Sequence, residues 1–495
     1  MQRVPLLAGP RVQVAQVPPG AVVLHPPPPA APIADVTGAV VESLRFPLDG
    51  PPVAELLPPG GRVTIVIEPP ALPIPGSPGD PRQEAIAATV AELERSGVPL
   101  ERQTILVAGG LQRRAAPREI GHLVAPEFRR RFRGRLVVHD VEHEDLVEVA
   151  PGLRVNPALV EADAVVVVTA AETVRHGGPA ALLAAAGVEA SRGGGPASLL
   201  EPATSPLWAR GVELERALRT RVPLFGVSLA LNNPLSTGAL RGYPHDEEAV
   251  ERIASSVAVR GLSLVPGPLR RAALTRLRLE PSAFAVLGGT PSAAHAEALL
   301  RATELRAARL DAPLDAIVVG IPPTTPTIPR ERPNPISVAY LGLGLALRLW
   351  RGGQPLVEGG TVILLHHLRR SFAVPTQHPY RQLFRDEQFA RDAAGLEEAT
   401  RAAAADTRAI EEYRLGRACH PLLPVAEWEA CVPTIERAGT VLVAGCRDAV
   451  AARQLGFVPT HGLGPALEMA QGRAGGGARI GFLLAPPYFP LLAGD

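Results

Sequence analysis

The chain has 495 residues, 46% of them apolar, and its 50 basic residues nearly cancel 49 acidic ones. That balance excludes a strong electrostatic pull toward nucleic acid or anionic membrane, and no run of 18 or more uninterrupted apolar residues marks a membrane span. Every basic residue is arginine, which excludes a Schiff base, a Walker A lysine and any lysine-tethered cofactor.

The length points to two domains or more. The N-terminus lacks a signal-peptide layout. The three cysteines, Cys419, Cys431 and Cys446, are too far apart for a zinc ribbon and odd in number, which fits a reducing cytoplasm.

Residues 1–60 are rich in proline, with short extended pieces at 12–17 and 22–24 suited to a sheet edge. Next comes RVTIVI at 62–67, a buried strand, followed by Glu68 and a proline-stiffened loop ending at Pro75, then a helix over 82–96. Strands are predicted at 104–108 (TILVA) and 136–140 (LVVHD), with a helical segment carrying Glu119 and Glu127 between them. Residues 155–188 organise the rest. Val165, Val166, Val167 and Val168 form a β-branched run without polar alternation, the habit of a parallel strand buried on both faces. It is followed by the pair Gly177-Gly178 and an Ala/Leu-rich helix. The glycine-rich stretch around Gly195 is a loop, and helices at 214–219 and 247–256 flank a strand at 224–231.

The composition turns Arg- and Leu-rich near residue 266, which divides the chain into 1–265 and 266–495. The second part opens with the strand LDAIVVG at 314–320 and a loop, 321–330, of six prolines within the fifteen residues to Pro335. A long apolar helix is expected over 334–351, strands at 359–366, 440–444 and 478–484, a largely helical stretch over 384–413 and a helix at 464–471. The last strand and helix belong either to this part or packed back on the first. Strand, turn and helix alternate throughout, so the expected fold is α/β: two Rossmann-like parallel-sheet domains with a cleft between them.

The succession resembles the nickel-dependent lactate racemase family over roughly residues 60–490. RVTIVI with its proline loop, ILVAGGLQRR at 105–114, EADAVVVVTAAE at 161–172, LDAIVVG followed by EGGTVILL, and RQLGFVPTHGLGPALEMA at 453–470 carry the likeness. The resemblance implies a nickel-pincer nucleotide bound through a lysine and two histidines that assist proton or hydride transfer in the racemisation of 2-hydroxy acids. At the matching positions this chain departs. Gln112 stands for a histidine, Pro69 and Leu72 for an aspartate and an arginine, Val174 for the first histidine of the catalytic loop and Ala180 for the lysine. No histidine occurs within 207–211.

His176 and His139 are therefore the candidate catalytic residues. Gly109, Gly110, Gln112, Arg113, Glu172, Gly177 and Gly178 are candidate ligand-binding residues, since strand ends and free helix-start amides suit anions in such folds. Arg113, Arg175 and Arg330 are able to clamp a carboxylate or phosphate. The expected ligand is a small hydroxy acid or a nucleotide-like molecule. Any nickel-pincer nucleotide would be held without a lysine link. Three functions follow: a relative that binds a small anion without the tethered nickel group, an active racemase or epimerase with an untethered one, or a non-catalytic homologue.

Overall fold

The computed structural model describes residues 2–70, 72, 79–191, 197–262, 264–275, 279–326, 330–386 and 389–493. The predicted loop end at Pro75, the loop around Gly195 and residues 327–329 of the proline-rich loop lie outside them.

The chain begins with an antiparallel hairpin, β1 (Arg3–Ala8) and β2 (Arg11–Gln16), and the short β3 (Val22–Leu24). It then builds a first six-stranded sheet from β4 (Val63–Ile67), β5 (Gln103–Val107), β6 (Arg135–Val138), β7 (Ala164–Ala170), β8 (Leu224–Leu231) and β9 (Ala283–Gly289). The spatial order is β9-β8-β7-β4-β5-β6. A second sheet holds β10 (Leu314–Gly320), β11 (Leu356–Leu365), β12 (Ala438–Ala444), β13 (Val458–Thr460) and β14 (Ile480–Leu483), in the order β13-β12-β11-β10-β14-β3. All pairings within it are parallel.

The valine run explains the first sheet. Every residue of β7 is buried, and successive side chains alternate between faces. Val166 and Val168 join the core with Leu93 and Ile86, whereas Val165 and Val167 pack with Leu182 and Leu214. Burying each such valine stabilises the fold by roughly 1.5 kcal/mol or more. Helices supply the cover: α1 (Pro81–Arg95) follows β4, α2 (Pro179–Ala184) follows β7, α3 (Pro206–Arg219) precedes β8 and α4 (Pro291–Arg306) follows β9.

Four departures from the sequence reading have physical causes. First, β9 pairs antiparallel to β8, so the first sheet carries an antiparallel edge and continues past residue 266. Second, β3 crosses to the edge of the second sheet beside β14, and the β1–β2 hairpin packs over that sheet through Val4, Leu6 and Ala8. Residue 266 therefore does not separate the two sheets. The final strand also pairs within the second sheet rather than packing back on the first.

Third, the apolar stretch 334–351 is not one α-helix. A regular turn at Pro335–Ala339 widens into a π-helical segment, Tyr340–Leu345, and ends as a short strand at Trp350–Arg351. Gly342 and Gly344 permit this packing, because a Cβ would stand 2.5 Å from Leu364 and 2.7 Å from the Tyr340 ring. Fourth, 384–413 is broken into helices at His378–Arg385, Ala393–Ala404 and Thr407–Arg414. Helix α5 (Leu422–Arg437), with Pro433 inside it, has no counterpart in the sequence reading.

Candidate functional site

In the first sheet the chain runs from β4 outward to β5 and β6, then returns to the other side of β4 as β7 and β8. The β4/β7 junction is thus the topological switch point, where strand ends diverge and leave a crevice. Glu68 stands just beyond β4, and Glu172 just beyond β7. The Glu68 carboxylate accepts a 2.5 Å hydrogen bond from the backbone N–H of Gly177, which bridges the switch point.

Arg82, in the first turn of α1, reaches both sides. Its Nε and Nη2 donate to Asp80, the helix cap, at 3.0 and 2.7 Å, and its Nη1 donates to Glu172 at 3.2 Å. Burial works against the guanidinium charge, but Asp80 and Glu172 more than offset it and hold Arg82 more firmly protonated than usual. Arg306 on α4 adds a further buried cation, with its Nε donating to Asn233 at 3.0 Å. Burial lowers its pKa to about 10 against the opposing pull of Glu172, so it stays charged near neutrality. Glu68 is different. Burial pushes its carboxyl up to about 8, the Gly177 bond opposes that only partly, and the Glu172 charge adds to it. At neutral pH it is largely a carboxylic acid.

His176 is the neighbour of both glycines. Its Nδ1 lies 3.2 Å from Thr173 Oγ1, and burial, then the charges of Arg175 and His295, drive its pKa to about 3. The imidazole is therefore neutral. Gly177 and Gly178 have φ of +86° and +52°, and Cβ atoms there would stand 2.3 and 2.5 Å from His295. The glycines are needed because His295, fully buried on α4, packs directly against them. Their amides are already engaged, Gly177 with Glu68 and Gly178 with Thr169 Oγ1 at 3.0 Å. They are not free to cradle an anion.

From this junction a cavity opens between the two sheets, with about 950 Å³ of empty space, its open mouth included. The first sheet contributes Glu68, Gly109, Gly110, Gln112, Arg175 and His176 to its wall, and the other side contributes Pro326, Tyr340, Leu423, Ala426 and Glu427. A second, adjoining crevice is walled by Glu68, Asp80, Arg82, Glu172 and His176. Glu68 and His176 thus belong to both. Among the described residues, no carboxylate lies within ion-pair distance of the Arg175 guanidinium, which faces the cavity. On the far wall Glu427 is buried, hydrogen-bonded to Tyr380, and raised to about 8 by burial against the opposing effects of Tyr380 and Arg175.

The cleft walls are tied together across the chain. Tyr413 donates to the carbonyl of Gly110 at 3.1 Å, His420 Nε2 lies 3.0 Å from Glu142, and Arg113 donates to the carbonyl of Gly416 at 2.9 Å.

Of the residues picked from sequence, Gly109, Gly110, Gln112 and His176 meet at the cavity and Glu172 at the adjoining crevice. The others are placed elsewhere. Arg113 is paired with Glu119 at 2.5 Å. His139 is buried away from both spaces, with Nε2 2.8 Å from the Ala186 carbonyl and Nδ1 3.1 Å from Asn156 Nδ2. Those two bonds engage both ring nitrogens, and burial, only partly opposed by the Ala186 bond, lowers its pKa to about 4. Sequence reasoning missed Glu68, Arg82, Tyr340 and Glu427. Glu68 carried the same signal as Glu172, a carboxylate right after an all-apolar strand. Glu427 lay in a helix that was not foreseen.

Residues 11–174 match the model of the lactate racemase N-terminal domain. Over that stretch the chain is similar to lactate racemases. The lactate racemase apoprotein from Thermoanaerobacterium thermosaccharolyticum is similar in fold over 99% of this chain and 100% of that one, with a TM-score of 0.59 and 14% identity. A Thermotoga maritima protein of known structure is similar over 92% of this chain and 97% of that one, with a TM-score of 0.50 and 12% identity. At such identities these two likenesses concern the fold alone. No curated protein matches the chain. No helix among the described residues is long and apolar enough to cross a membrane.

Proposed function

We propose that this lactate-racemase-like chain binds a small carboxylate in the cavity between its sheets, without a lysine-tethered nickel group. The observation that carries the reading is Arg175, a guanidinium at the cavity wall with no carboxylate in ion-pair range among the described residues. A guanidinium in that position takes a carboxylate through paired N–H donors, and the likeness of residues 11–174 to the lactate racemase N-terminal domain favours a hydroxy acid as the molecule carrying it. Ligand binding through the glycine-pair amides has no support, since Glu68 and Thr169 engage both.

The nickel-pincer nucleotide that the resemblance implies does not fit the residues present. The chain has no lysine to hold it, and Ala180, at the lysine's place, is a buried methyl. Among the described residues no three His, Cys, Asp or Glu side chains stand close enough to hold a metal ion.

A second reading, an active isomerase, draws on Glu68 and His176. They share two walls, one a carboxylic acid and the other an unprotonated imidazole near neutrality, which supplies a proton donor and an acceptor for general acid–base work. One experiment separates the readings. The purified protein is heated with L-lactate, D-lactate and nucleotides, and the same samples are assayed for chiral conversion. Stabilisation by a hydroxy acid without conversion supports the binder; conversion supports the isomerase; no stabilisation by any of them overturns both.

A further inference from the structure

The cavity wall opposite Arg175 holds a second unsatisfied group. Glu427, on α5, is 8% exposed, and among the described residues its Oε2 has no hydrogen-bond partner, while Tyr380 hydrogen-bonds the carboxyl. A buried polar atom left unpaired is costly, so such atoms usually mark a water or ligand position. Leu423 and Ala426 on the same helix, and Leu111 and Leu183 across the gap, make the surroundings apolar. A polar group placed there by a ligand has few alternatives.

We propose that Glu427 is a specificity-determining residue that reads a hydroxyl on the ligand anchored by Arg175. The inference rests on the carboxylate reading above and adds what lies beside the carboxylate. Glu427 and Arg175 line the same cavity, and the Arg175 charge is felt at the Glu427 carboxyl. The hydroxyl is preferred over an ammonium for a physical reason. Burial keeps Glu427 largely uncharged near neutrality, and an uncharged carboxyl exchanges hydrogen bonds with a hydroxyl but does not neutralise a cation. The positive field of Arg175 further disfavours an ammonium.

Three ligands of one shape decide it: L-lactate, L-alanine and propionate carry hydroxyl, ammonium and hydrogen at the same carbon. Calorimetric titration of the full chain is expected to show lactate bound about tenfold or more tightly than either of the others. Glu427→Met, of similar volume and without a polar end, is expected to bring lactate down to the propionate level while propionate is unaffected. Should that variant fold poorly, the double variant Glu427→Met, Tyr380→Phe removes both partners together, a change that leaves no orphan behind. Equal binding of all three, a preference for alanine, or a lactate preference that survives in the variants overturns the proposal alone. Failure of all three to bind overturns the carboxylate reading itself.

Discussion

Glu68 and Gly177, 109 residues apart in sequence, are joined by a 2.5 Å hydrogen bond from the glycine amide to the carboxylate. The chain thereby caps, with its own side chain, an amide that a glycine-rich loop would otherwise offer to an anion. The bond also fixes the two sides of the switch point and sets Glu68 beside His176, where burial shapes the protonation of both.

Stability is expected to peak near pH 6.5. His139, His176, His295 and His366 have pKa values lowered from 6.5 to about 3 or 4 by burial. Between those values and 6.5 the unfolded chain binds more protons, so stability rises with pH. Glu68 and Glu427 are raised from 4.5 to about 8. For them the folded chain binds more protons from 4.5 to 8, and stability falls as pH rises. The four histidines outweigh these two glutamates below 6.5, and of the six groups the glutamates alone act above it. Thermal midpoints from pH 4 to 9 check this. Glu68→Gln is expected to flatten the alkaline slope and to steepen the rise between pH 4.5 and 6.5.

Gly178→Ala is expected to destabilise the fold by roughly 2 kcal/mol or more, because φ is positive and the new methyl meets His295. Gly109→Ala is expected to be near neutral, since nothing among the described residues lies within 4 Å of its Cβ position. Denaturant unfolding of the two variants gives the contrast. Equal losses would show that His295 moves aside.

The fold was legible in the sequence wherever a strand is buried on both faces. Val165 to Val168, VTIVI and LDAIVVG announce themselves because a parallel interior strand leaves no room for polar alternation. The edges were not legible. The pairing of β3 with β14 joins residues more than 450 positions apart, and β9 reverses direction without any local signal. In the site, Glu172 and His176 were reached from strand-end logic. His139 followed the same logic, yet Asn156 and the Ala186 carbonyl absorb it into the core. Tyr340 and Glu427 come from the far side of the cleft, and only tertiary packing brings them to His176.

Arg82→Leu is expected to cost about 3 kcal/mol, because Asp80 and Glu172 would keep buried charge without their shared partner. Chemical denaturation at pH 7 tests this, and an unchanged unfolding midpoint would contradict it.

His139→Ala and His176→Ala should separate structure from binding. The first leaves the Ala186 carbonyl and the Asn156 amide unpaired in the core and is expected to cost about 1–3 kcal/mol, with ligand affinity intact in the folded fraction. The second removes a cavity wall group and is expected to change affinity more than the midpoint of unfolding. Paired thermal and binding measurements on both variants would show the opposite pattern if the assignments were reversed.

The proposed role of Arg175 is to hold a small carboxylate in the cleft without a tethered nickel group. Its most direct test is calorimetric titration of L-lactate into metal-stripped protein and into Arg175→Ala. Saturable, one-to-one binding to the first is expected, with a loss of at least about tenfold in affinity in the second. Unchanged affinity in Arg175→Ala, or binding that appears only after nickel is restored, would contradict it.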